Sequence, residues 1–174
     1  MAVINPHIDR RKLAEHMARL KTSGGRELSK ADAIWSMLNG ELLQHAGEGN
    51  WGLYRNTRLS MAAVLERENR LPDALATYLE VMYLDLNGPR NTGGVSTDEF
   101  PPFSLSEAFV APAIEKQVMK LLARLQLDER QARDVFLERA GRIVVNLKLP
   151  LSVQEAWARI ADLLHGDACN DERG

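Results

Sequence analysis

Apolar residues recur three and four positions apart through most of this chain, and that spacing lines them up on one stripe of an α-helix. Leu13, Met17 and Leu20 set the first stripe, over 9–22, which Ser23-Gly24-Gly25 ends. Ser29, three residues ahead of Asp32, opens a second helix whose core positions are Ala33, Ile34, Met37, Leu38 and Leu42, until Gly47 and Gly49 interrupt it near residue 46. Trp51 to Asn69 and Pro72 to Leu86 give the third and fourth, and Asn87-Gly88-Pro89 is a strong stop. Three more helices are predicted after an aperiodic stretch: Ser106 to Leu125, bent or restarted at Pro112, then Glu129 to Leu147, then Val153 to His165. Ser104-x-x-Glu107, Asp128-x-x-Gln131 and Ser152-x-x-Glu155 mark their starts, each with an oxygen-bearing cap three residues before a side chain that can reach back. A strand competes only around Ile143-Val144-Val145, where β-branched residues cluster, but Phe136, Ala140, Ile143, Val144 and Leu147 keep helical spacing. The polar tail 166–174 is expected to fray. The fold class that follows is all-α, an array or bundle of about seven helices.

The aperiodic stretch 87–103 is the one candidate boundary. It separates helical hairpins in 1–88 from a three-helix group in 104–174 that is expected to pack against them, with 89–103 as the loop between, unless the whole is one domain. A chain of 174 residues can bury a core without help from a metal or disulfide, and Cys169 is its single cysteine. Its N-terminal residues lack a signal peptide's arrangement, and no apolar run approaches the roughly 18 residues of a membrane span. Cytoplasmic residence without a membrane partner is the expectation.

Residues 55–88 resemble a tetratricopeptide repeat, a helix-turn-helix unit of roughly 34 residues. Met61 and Ala62 stand where that family has its Leu-Gly or Leu-Ala pair, Asn69 at the turn glycine, and Ala74 and Tyr78 at its alanine and aromatic. Leu65 and Val81 are acceptable replacements, while Leu86 stands where the family usually ends with proline, and Pro89 comes three residues late. The match is one repeat long. The resemblance implies a concave face lined by Asn56, Leu59, Ala63, Glu66 and Arg67, and flanking helices that cover the unit's apolar side. Some members clamp a terminal carboxylate with Lys and Asn one turn apart; Leu59 and Ala63 appear instead, which argues against that ligand. The resemblance also implies close contact at Ala62 and Ala74, with Ala76 on a more open face.

Searches for chemistry end in ordinary surface. Glu41 with His45 and His165 with Cys169 sit at helical spacing but supply two groups each, where zinc takes three or four, so no metal and no cofactor is expected. Acidic Asp167 and Asp171 would raise the Cys169 thiol, and no nucleophile elbow or phosphate-binding glycine loop is present, so the expectation is not an enzyme. Trp35, Trp51, Tyr54, Tyr78, Tyr83 and Trp157 fit packing positions, whereas Phe100-Pro-Pro-Phe103 is a stiff apolar segment that must tuck against helices or meet a partner. A protein-interaction module follows as the leading function, a helical scaffold or adaptor presenting a groove to a peptide or protein, with Asn56, Leu59, Ala63, Glu66, Arg67, Phe100 and Phe103 as candidate contacts and a homo-oligomer permitted.

A net charge of −2 and a pI near 6.1 argue against a chain built mainly to coat nucleic acid. Between Asp9 and Lys30, however, Arg10, Arg11, Lys12, Arg19, Lys21, Arg26 and Lys30 face three carboxylates, Asp9, Glu15 and Glu27. This segment reads first as a solvated helical face, and a nucleic-acid-associated accessory role for Arg10 to Lys30 is the alternative function.

Overall fold

The structure, a computed structural model, describes residues 6, 8–22, 29–87, 112–143 and 151–171, for 22, 51, 141–143 and 166–171 the backbone alone. Among the described residues the protein is all helical: α1 (Arg10–Thr22), α2 (Lys30–Gly47), α3 (Trp51–Arg67), α4 (Leu71–Leu86), α5 (Pro112–Leu125), α6 (Glu129–Ile143) and α7 (Val153–Asp171). The predicted segments 87–103, 104–111 and 144–150 lie outside the described residues apart from Asn87, and with them the Ser104 cap, Phe100 and Phe103. One boundary differs from expectation. α7 continues through Gly166 to Asp171 instead of ending at His165.

The starts and stops are set by local chemistry. Asp128 and Gln131 cap α6 reciprocally, Gln131 N donating to Asp128 Oδ1 at 2.8 Å and Asp128 N to Gln131 Oε1 at 2.9 Å, and Ser152 with Glu155 does the same for α7. Ser29 Oγ accepts from Asp32 N at 3.2 Å at the start of α2, and Asn50 Oδ1 from Leu53 N at 3.2 Å at the start of α3. Three helices end alike. Gly49 (φ 68°), Asn69 (φ 61°) and Gln126 (φ 54°) take the left-handed conformation, and the following amides, Asn50, Arg70 and Leu127, reach back to His45, Leu65 and Leu122.

α4 is the hub. It packs against α3, α5, α6 and α7, and every residue from Ala74 to Leu86 is buried, Thr77, Glu80 and Asp85 included. A helix apolar on nearly every side must be enclosed, and the sequence from Leu71 to Leu86 has few polar positions to give to solvent. Ala76 is therefore corrected: it is 4% exposed, not on an open face. α3 and α4 run antiparallel, since cross-helix pairs lie at growing separation from their turn: Glu66 with Tyr78, Arg58 with Glu80, Arg55 with Asp85. Ala62 and Ala74 are fully buried in one cluster with Leu65, Tyr78 and Tyr83 from this hairpin and Val118, Phe136 and Ile160 from the last three helices.

Tyr83, Phe136 and Trp157 form an aromatic chain across α4, α6 and α7, with centroids 5.7 Å and 5.5 Å apart. Asn87 ties the end of α4 to the start of α7: its Nδ2 donates to Tyr83 O at 2.8 Å and its Oδ1 accepts from Leu151 N at 2.8 Å, while Tyr83 OH donates to Leu151 O at 3.0 Å. On the other side of α3, Leu38, Leu42, Met61 and Val64 make a second cluster, and Leu13, Ala33 and Met37 seat α1 on α2. No helix among the described residues is long and apolar enough to cross a membrane.

Candidate functional site

Where α1, α2 and α3 meet, their outward stripes leave a groove of about 450 Å³. α3 contributes Leu53, Asn56, Thr57 and Ser60, which share one face because they stand three and four residues apart. α2 contributes Leu38, Glu41, Gln44 and His45 at the same spacing, the first turn of α1 adds Lys12, and Asp9 stands just ahead of it. The Gly49 turn and the Asn50 cap set how α2 and α3 diverge, so they fix the width of this groove. A second trough, about 510 Å³, runs between α1 and α2 and shares Lys12, Glu41 and Gln44 with the first. His16 and Ser36 bridge its two helices at 3.1 Å.

The groove is lined mainly by polar side chains. Leu53 is 43% exposed at its edge, and Asn56 is exposed, its Oδ1 accepting from Arg55 at 3.1 Å. His45 Nδ1 is buried without a hydrogen-bond partner among the described residues. Glu41 and His45 thus do line one cavity, yet no three His, Cys, Asp or Glu groups among the described residues converge as a metal site would need. His165 instead meets Glu129 at 2.5 Å on the rim of a small apolar notch between α5, α6 and α7; the Cys169 side chain lies outside the described residues.

Of the residues expected on the concave face, the structure brings only Asn56 to this groove. Ala63 is 2% exposed and so is closed to a partner. Leu59 is half-buried against the main cluster, and Glu66 accepts hydrogen bonds from Tyr78 OH at 3.0 Å and from Gln117 of α5. The face fails as a groove because α5 lies near it and takes up the Glu66 carboxylate. Arg67 is exposed, away from the groove. Leu53, Thr57 and Ser60 were missed. Their signal was available, a stripe of one leucine and two hydroxyls offset from the Met61 and Leu65 stripe on the same helix.

A second concentration of charge lies inside the hairpin. Arg55 grips Asp85 through both Nε (2.8 Å) and Nη2 (3.0 Å), with Asp85 wholly buried. Glu80, also buried, accepts from Arg58 at 2.6 Å and lies 3.5 Å from Arg139 Nε of α6. Burial raises the Tyr54 hydroxyl's pKa, with Arg58 lowering and Glu80 raising it in smaller measure. Burial, followed by the Glu66 carboxylate, raises that of Tyr78 as well. These groups are paired with one another and hold helices in register, so they offer a ligand little.

Comparison of the chain with protein-family models, curated proteins and solved structures finds no match.

Proposed function

We propose that this chain is a protein-interaction module, a helical scaffold or adaptor whose α1–α3 groove receives a segment of a peptide or protein partner. The observation that carries the reading is the groove of about 450 Å³, in which Leu38 and Leu53 stand among amide, hydroxyl and charged groups. Interfaces likewise bury a few apolar side chains among hydrogen-bonding groups. Leu53 left 43% exposed is a side chain whose burial a partner would complete. The tetratricopeptide reading of 55–88 is supported by the antiparallel register of α3 and α4 and by Asn69, whose φ of 61° is the conformation a turn glycine supplies.

The test is affinity capture from the native cell with the wild-type protein and with a Leu53→Glu/Asn56→Arg variant. Both positions are exposed, so the variant should fold with a stability change of about 0.5 kcal/mol or less. Partners held by the wild type and lost by the folded variant are the expected outcome. Equal recovery of the same partners by both would remove the groove from the interaction.

A further inference from the structure

α1 is basic out of proportion to the rest of the molecule. It contributes +4 (five cations, one carboxylate) to a chain of net −2, leaving −6 on the remaining residues. Three of the cations, Arg10, Arg11 and Lys12, occupy the first turn, where the helix dipole favours acids; the carboxylate that answers the dipole is Asp9, just ahead of α1, which accepts from Arg11 N at 3.0 Å and Lys12 N at 3.1 Å. Helix stability therefore does not explain them. All five are exposed, and Arg10 and Lys12 make no ion pair among the described residues, while Arg11 meets Glu15 at 3.4 Å with both side chains largely in water.

Helical placement sorts these charges. Leu13 and Met17 face α2. At about 100° per residue, Arg10 and Lys21 fall on one flank of that buried stripe and Lys12 and Arg19 on the other. The pairs are separated along the axis by about 16.5 Å and about 10.5 Å. Between the two rows the outward ridge carries Ala14 and Ala18, both exposed, beside the Arg11–Glu15 pair. Glu41 of α2 faces the Lys12 and Arg19 row across the α1–α2 trough, and Glu15 lies beside that row on α1 itself.

We infer that the outer face of α1 is a docking surface for double-stranded DNA, with the helix lying along the major groove and its two rows of cations meeting the phosphates on either side. A helix of about 10–12 Å diameter matches a major groove about 12 Å wide, and Arg11, exposed on the ridge between the two rows, is the side chain turned to the bases. A protein partner would need large apolar or aromatic anchors, and this ridge offers none. The acidic remainder of the molecule would orient α1 towards a polyanion on approach. This surface is separate from the peptide groove except at Lys12, which borders both.

The test is fluorescence anisotropy of a labelled mixed-sequence DNA duplex with the full chain, as a function of salt. Neutralising about four phosphates predicts a slope of log K against log salt near −3.6, a fall of about 150-fold from about 50 to about 200 mM. The Arg10→Gln/Lys21→Gln variant should flatten the slope by about 1.8, leave partner capture by the groove unchanged, and melt close to wild type, since losing an unfavourable cation from the first turn offsets losing a favourable one from the last. Duplex RNA, whose major groove is too narrow for a helix, should bind at least about tenfold more weakly. Absence of binding at the low salt, an unchanged slope in the variant, RNA bound as tightly as DNA, or displacement of DNA by poly-glutamate charge for charge would each overturn the inference.

Discussion

Arg55 and Asp85 show what a buried charge asks of its surroundings. Each is costly to remove from water, and they coexist inside the hairpin because the guanidinium fork satisfies both carboxylate oxygens, at 2.8 Å and 3.0 Å. Arg55→Met should therefore cost about 3–5 kcal/mol by taking from the buried Asp85 carboxylate its two-pronged guanidinium partner, whereas Arg55→Met with Asp85→Leu should recover most of that loss. Urea denaturation of the two variants separates these outcomes, and equal losses would show that the pair is not coupled. Tyr54, Tyr78 and Tyr83 carry a different signature, since burial is the largest cause raising the pKa of each above 10.0. In the unfolded chain these phenols ionise first, so above about pH 10 the unfolded state binds fewer protons than the folded one and stability falls as pH rises. Below that pH their contribution is fully present. Thermal melts from pH 8 to 11 should thus show an alkaline decline that is shallower in Tyr78→Phe than in wild type, and parallel declines would remove Tyr78 from its cause. The pairing of Arg55 with Asp85 was not legible beforehand, because thirty residues and a turn separate them and a charged side chain on a helix reads by default as solvent-facing.

At the scale of single elements the sequence was most informative where caps and glycines spoke together. Ser29, Asp128 and Ser152 each begin a helix as their spacing to Asp32, Gln131 and Glu155 requires, and Asn87 ends α4. Beyond His165 the expectation of a frayed polar tail differs from the structure, in which α7 runs on through Gly166 to Asp171, a helical glycine costing only about 1 kcal/mol. α2 contains the contrast that makes this testable. Gly40 lies inside the helix, and a Cβ built there meets nothing within 4 Å, so Gly40→Ala should stabilise the protein by about 0.5–1 kcal/mol. Gly49 closes the same helix at φ 68°, where any Cβ is strained, so Gly49→Ala should cost about 1–2 kcal/mol and disturb the angle between α2 and α3. Opposite shifts in melting temperature are expected from these two like substitutions; shifts of the same sign would show that the left-handed turn does not fix the end of α2.

For the whole molecule the decisive feature is that α4 serves both sides of the chain. Its periodicity announced a helix, but which elements would enclose it was hidden, because an almost uniformly apolar segment does not say which face meets which neighbour. The resemblance to a tetratricopeptide repeat put Ala76 on an open face and Ala63 on a concave one, and a single repeat unit could not reveal that α5 would come near and engage Glu66. Residues 1–87 contain everything needed for α1 to α4, yet Val118, Phe136 and Ile160, which share the cluster of Tyr83 and Leu79, come from beyond residue 111. Stripped of α5, α6 and α7, α4 would expose that side of its apolar surface, and the Asn87 clip to Leu151 would be gone. The fragment 1–87 expressed alone is therefore expected to keep much of its helical circular dichroism but to bind a hydrophobic dye and melt without a sharp transition, as a loosely packed helical state does. Adding the fragment 88–174 should suppress dye binding and restore cooperative melting, because the second fragment supplies the missing walls of the same core. A soluble fragment 1–87 that melts cooperatively and ignores its complement would instead show that the first four helices fold as a unit of their own, with α4 repacked to hide what the last three helices now cover.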